Sequence, residues 1–153
     1  MNYTLSCFCT EPFSLSQPEK ELPYVKDIGG KWTQKNAAGQ VGKESYFENP
    51  MYFVVLQSDT IIQLRCSTMK TFGVNVMMVE AKDCNAVDFR NRRRFGKAVL
   101  DSGNYRHGFT VTGREKVPTG TYMIIVSTYQ KGQIGVFNIT LASSSDVEVH
   151  EVD

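Results

Sequence analysis

The sequence predicts an all-β domain, an antiparallel β-sandwich of about eight strands. Three observations carry that reading. Short runs rich in β-branched and aromatic residues are separated by turn residues, the composition that suits a half-buried pleated surface. No segment sustains the apolar period of a helix. All five prolines (Pro12, Pro18, Pro23, Pro50 and Pro118) fall outside the runs, where they remove no ladder hydrogen bond. Strands joined by short turns without interleaved helices indicate a sandwich rather than an α/β fold. The 153 residues suit one domain. With 41% hydrophobic and 22% charged residues, the composition is that of a globular protein rather than a disordered one.

In chain order, residues 2–8 alternate polar and apolar and read as a strand. Residues 11–49 depart from that pattern, being rich in Gly, Pro and Gln, with Trp32 as the main apolar anchor. The runs 51–57 and 60–67 flank Ser58 and Asp59 and read as a tight hairpin. A turn at 71–73 leads into the strand run 74–79. Residues 80–96 show no strand alternation and lack proline and interior glycine, which leaves room for a short helix. Connections of that length often carry function. A weaker run at 97–100 pairs at an edge, and 105–111 is the next strand. Runs 121–129 and 134–142 read as a second hairpin around 130–133. The domain is expected to cover residues 1–142, with 143–153 an acidic, frayed tail holding Asp146, Glu148, Glu151 and Asp153.

Charge and composition narrow the function. Seventeen Lys and Arg against sixteen Asp and Glu leave a net charge of +1, so charge alone predicts no nucleic-acid partner. Four cysteines are too few for a disulfide-built scaffold. The opening residues lack a basic leader region, and no apolar run approaches the ~20 residues of a membrane span. A cytoplasmic protein with reduced thiols is the expectation. Two Asn-x-Thr tripeptides, at Asn2 and Asn138, matter only in a secreted chain.

Catalytic patterns are sparse. A nucleophile needs a nearby base, and the two histidines are His107, inside a strand run, and His150, in the acidic tail. Cys7, Cys9, Cys66 and Cys84 fit as small hydrophobes in or near strands. Only one close cysteine pair exists, short of the two pairs of a structural zinc site. The stretch 39–45 imitates a phosphate-binding loop but has Ala37 and Glu44 where glycine and a hydroxyl residue are needed. Asp59, Asp83, Asp88 and Asp101 are dispersed, so no calcium site is expected. No catalytic residue, metal or cofactor is predicted.

The strongest local bias is Arg90, Arg92, Arg93 and Arg94, with Lys97 just beyond and Phe89 and Phe95 flanking. Guanidinium forks match phosphate and carboxylate, and the two rings suit a headgroup layer or a partner pocket. The plainer reading is a solvated basic loop balanced by Asp83, Asp88 and Asp101.

Two blocks resemble a known family. Gly30-Lys31-Trp32, then Ala37-Ala38-Gly39, then Ser45-Tyr46-Phe47-Glu48-Asn49-Pro50 before a strand resemble the opening of the calpain β-sandwich domain. Gly120-Thr121-Tyr122 and its strand, then Gly132 and Gly135-Val136-Phe137, resemble its closing hairpin. The first block also has a physical reading, since Asn49-Pro50 stops the loop and sets an extended entry to the strand. The resemblance covers about residues 29–141 and implies a C2-like sandwich, downstream of a papain-like core, without the Cys-His-Asn triad. Lacking the dense acidic loop of calcium-activated calpains, the chain is more similar to the atypical calpains of the PalB and calpain-7 type. It looks like their distal sandwich, part of a longer protein. The implied role is regulation by protein contact, with the protease core, a neighbouring sandwich or an ESCRT-related protein at endosomes. The alternative is calcium-independent recruitment to an anionic membrane through Arg90 to Arg94.

Overall fold

The structure is a computed structural model that describes residues 4, 6, 8, 10–12, 20–82, 86–92 and 96–152. Of the strand expected at 2–8, Thr4, Ser6 and Phe8 are described, exposed and part of no strand, and the other positions lie outside the described residues. Among the described residues eleven strands form two sheets, and every pairing is antiparallel. The first sheet holds β1 (Tyr24–Trp32), β10 (Gly135–Ser143), β3 (Thr60–Thr68) and β7 (Phe109–Val111) in that order, with β8 (Glu115–Val117) also on β3. The second holds β11 (Glu148–Val152), β2 (Met51–Leu56), β9 (Gly120–Thr128), β4 (Gly73–Glu80) and β5 (Ala98–Asp101), with β6 (Arg106–His107) also on β4. The sandwich class is as the sequence predicts.

Between the sheets lies a core built from alternate positions, including Val54, Leu64, Val76, Ile124 and Ile139. The other face of the second sheet is also covered. Met51, Met77, Val79, Met123 and Ile125 pack there under Tyr46 and Phe47 of a 3-10 helix (Glu44–Glu48) and Phe89 of α1 (Ala86–Arg92). Burial on both faces explains why β4 and β9 read as continuous apolar runs instead of alternating ones.

Both expected hairpins are corrected. β2 and β3 belong to different sheets, as do β9 and β10, so each short connection is an arch over the edge of the core. Ser58 and Asp59 offer no glycine for the tight mirror-image turn a two-residue hairpin favours. Asp59 Oδ1 instead accepts from the Thr119 N–H at 3.0 Å, tying the first arch to the approach of β9. The second arch is held by the Gly132 N–H donating to Ala37 O at 2.8 Å.

The run 105–111 also divides. β6 joins the second sheet and β7 the first, and Gly108 between them has φ +77°, a conformation glycine adopts without strain. Its N–H donates to Phe72 O and its carbonyl accepts from Thr68 N–H, both at 2.9 Å. The edge strand expected at 97–100 is β5, on β4.

Two strands escape the sequence pattern. The inward positions of β1 are Lys26, Ile28, Gly30 and Trp32, too few of them apolar to show alternation. The tail expected to fray carries β11, paired with β2 from Glu148↔Val55 to Val152↔Met51. Val147 is buried in the core, Val149 packs against it, and the acidic groups face outward or lie at the edge. Lys26 Nζ clamps this segment, donating to Val147 O and pairing with Asp146 at 3.2 Å.

Gly30 lies opposite Phe137 in the register, and a Cβ there would overlap Phe137 Cζ and Tyr52 Oη. Both rings are buried and cannot swing away. Gly30→Ala is therefore expected to cost about 1–3 kcal/mol through overpacking. Urea unfolding measures it, and an unchanged midpoint would show that β1 sits farther from β10.

Candidate functional site

Four loops converge at one end of the sandwich, and the buried side chains of Asn49 and Asn75 fix two of them. Asn49 is fully buried. Its Nδ2 donates to Gly39 O at 2.8 Å and Tyr46 O at 2.9 Å, while its Oδ1 accepts from the Ala38 N–H at 3.3 Å. The Asn49-Pro50 step thus shapes the loop as well as ending it. The Ser45 hydroxyl adds a bond to Ala38 O at 2.8 Å. Asp101, counted from sequence as a counter-charge to the arginines, instead accepts from Asn75 Nδ2 at 2.9 Å and the Gly103 N–H at 2.8 Å. Asn75 Nδ2 also donates to Gly103 O at 2.8 Å.

Tyr105 links two of these loops. Its hydroxyl accepts from the Val41 N–H at 2.9 Å and shares a hydrogen bond with Ser127 Oγ at 2.8 Å. Burial raises the Tyr105 phenol above its ordinary range, although both hydrogen bonds pull the other way. Burial raises the Tyr46 phenol too, with Tyr105 and Asp101 adding to the effect. Both phenols stay neutral at ordinary pH, and the Tyr105 hydroxyl acts as a fixed hydrogen-bonding group.

Above this framework opens a cleft of about 600 Å³. Gln40, Asn104, Gln130 and Gln133 give it four primary amides, and Tyr105, Tyr129 and His107 its rings. The rings of Tyr105 and Tyr129 meet edge to face at 5.6 Å. Among the described residues, no Asp, Glu, Lys, Arg or Cys lines it. His107 therefore has no carboxylate or thiol beside it in the cleft, and the lining forms no acid–base or nucleophile pair. Among the described residues no group of three His, Cys, Asp or Glu side chains could hold a metal ion.

The predicted arginine site is only partly described. Arg90 is half-buried on α1, and its Nε is buried without a hydrogen-bond partner among the described residues. Arg92 ends α1 with its side chain outside the description, and Arg93, Arg94 and Phe95 lie outside the described residues. Lys97 is exposed ahead of β5. Phe89 is corrected: it is 2% exposed and packs in the outer core, 6.3 Å from Phe47 between ring centres. It offers nothing to a headgroup layer.

Sequence reasoning missed the cleft because its amides come from loops far apart in the chain. Tyr105 lay in a run read as plain strand, and a scattered set of Gln and Asn carries no motif.

Cys66 is the one described cysteine, and it is buried in the inter-sheet core. Burial pushes its thiol up to about 12. The folded chain keeps that proton to about pH 12, whereas the unfolded chain loses it above about pH 8.5. The contribution to stability is complete below that lower value and is lost as pH rises toward the upper one, by about 1.4 kcal/mol per unit. Tyr52, pushed up to about 12 by burial and then by Glu151, steepens the fall above pH 10. Urea unfolding at successive pH values is expected to show a shallower alkaline loss in Cys66→Ala than in the parent. Equal slopes would place the thiol in water.

Comparison with known proteins adds independent findings. The family described as calpain large subunit, domain III, matches residues 28–141. The chain is similar to the calpain-like protease palB/RIM13 of Aspergillus oryzae, 28% identical over 93% of this chain and 16% of that protein. It is similar to palB of Emericella nidulans, 26% identical over 99% of this chain and 18% of the relative. Human calpain-7 is 26% identical, again over 99% of this chain and 18% of its own length. The chain spans about a sixth to a fifth of these relatives.

Proposed function

The chain belongs to the calpain large subunit domain III family, and from that membership we infer that it is a non-catalytic regulatory and targeting module of a calpain-like cysteine protease, acting by protein–protein contact. One observation carries the reading: among the described residues no Asp, Glu, Lys, Arg or Cys lines the cleft, so His107 meets no carboxylate or thiol there. Such a site binds without doing chemistry. The partners proposed are the protease core, a neighbouring sandwich of the same parent chain, or an ESCRT-related protein at endosomes.

The test supplies the 153-residue chain to its parent protease from which this segment has been deleted. Binding followed by calorimetry, and at least a twofold change in peptide cleavage, are the expected results. Hydrolysis by the chain alone, or neither binding nor a change in rate, would overturn the reading.

A second reading has an observation of its own. The Arg90 Nε, buried and unpartnered among the described residues, is a donor that an anion would satisfy, and Lys97 is exposed after the same helix. Vesicle co-sedimentation with and without phosphatidylserine, in chelator and at two salt concentrations, tests calcium-independent membrane recruitment. Binding lost in Arg92→Ala, Arg93→Ala, Arg94→Ala would establish it. No sedimentation under any condition would remove it.

A further inference from the structure

We propose that the cleft walled by Gln40, Asn104, Tyr129 and Gln133, with the ring of Tyr105 beside them, docks an extended and uncharged stretch of polypeptide. The inference rests on the binding-module reading and specifies its ligand. Charge decides the class first. Among the described residues the lining has no Lys or Arg for a phosphate or an acidic peptide, and no carboxylate for a metal ion or a basic peptide. A charged ligand would lose its hydration there without a counter-charge.

Hydrogen bonding decides the next step. Each primary amide offers both donors and an acceptor, the complement of peptide C=O and N–H groups. Among the described residues Gln133 Oε1 is buried with no partner, an acceptor that a ligand N–H would satisfy. Tyr129 is 53% exposed and braced edge-on by Tyr105, whose hydroxyl is held by Val41 and Ser127. A ring fixed in this way gives contact area with little conformational entropy left to lose.

Backbone geometry favours peptide over saccharide. Gly73 and Gly103 bring bare main chain to the cleft wall. β6, which contributes His107, pairs with β4 alone among the described strands. Its other side has no strand partner, and an extended segment is the ligand that can add to such an edge.

The experiment selects random 12-residue peptides displayed on phage against the immobilised chain, with counter-selection on a Tyr129→Ala, Gln133→Ala variant of matched melting temperature. Gln130→Glu, at an exposed position of the cleft, serves if the double variant is unstable. Enriched peptides are expected to be poor in Asp, Glu, Lys and Arg, and to bind at least tenfold more weakly to either variant. They should shift the backbone amides of 103–107 and 129–133 in proton–nitrogen spectra. Maltoheptaose, a neutral hydroxyl-rich probe, should shift none of them. Charged consensus peptides, equal affinity for the variants, saccharide binding in the cleft or no enrichment would each overturn the proposal. Peptides that map to another face would sink the cleft and leave the interaction-module reading standing. Peptide binding in the cleft with a failed protease-core experiment would separate the two the other way.

Discussion

Trp32→Ala is expected to destabilise the domain by about 3–5 kcal/mol. Trp32 ends β1 in the first sheet, is 1% exposed, and reaches across to the second sheet, where its Nε1–H donates to Val126 O at 3.3 Å. Its ring packs 4.6 Å from Phe137 and 6.2 Å from Phe72 between centres. Truncation would remove the largest side chain that joins the sheets and leave a void its stiff aromatic neighbours cannot fill by collapse. Against the usual 5–15 kcal/mol of a whole domain, that is at least about a fifth of the total. Urea unfolding followed by circular dichroism is the measurement, because the only tryptophan is the one removed. A falling midpoint with an unchanged slope is expected. A loss below about 1 kcal/mol would mean the ring is not held between the sheets.

Phe89→Ala carries the second large effect and separates two views of the arginine segment. α1 has seven residues, too short to persist by its own hydrogen bonds. Phe89 sits over Met77, Val79, Met123 and Ile125 and is, among the described side chains of α1, the buried one that anchors the helix. Its removal is expected to cost about 3 kcal/mol. Hydrogen exchange should show residues 88–92 losing protection while β4 and β9 keep theirs. The opposite pattern, an unchanged melting temperature together with lost vesicle binding, would mean Phe89 is a membrane contact and its packed position wrong. The same anchoring holds Arg90 on a seated helix, so the anion reading and the core reading share this residue.

What could be read along the chain was whatever depends on neighbours in sequence. The runs that became β2, β3, β4, β9 and β10 announce themselves by β-branched content and by turns between them. Family resemblance was legible in the same way, and its residues have physical work to do. Gly30 makes room for Phe137 and Tyr52, and Asn49 holds the loop that carries Gly39. β1 was illegible because two glycines and three charged residues interrupt its apolar positions. β11 was hidden by acidic residues that face water while Val147 and Val149 turn inward.

The sequence by itself determined that this is a β-sandwich of the calpain domain III kind, because strand propensity and the motif blocks are local properties. Tertiary structure decided which sheet each strand joins. A short connection has nearly the same sequence whether it closes a hairpin or arches across a core, and only the distant partner strand chooses between them. Tertiary structure also decided that Phe89 is buried and that Gln40, Asn104, Tyr129 and Gln133 share one cleft. Such convergence is set by pairings between residues far apart in the chain, and no local pattern records it.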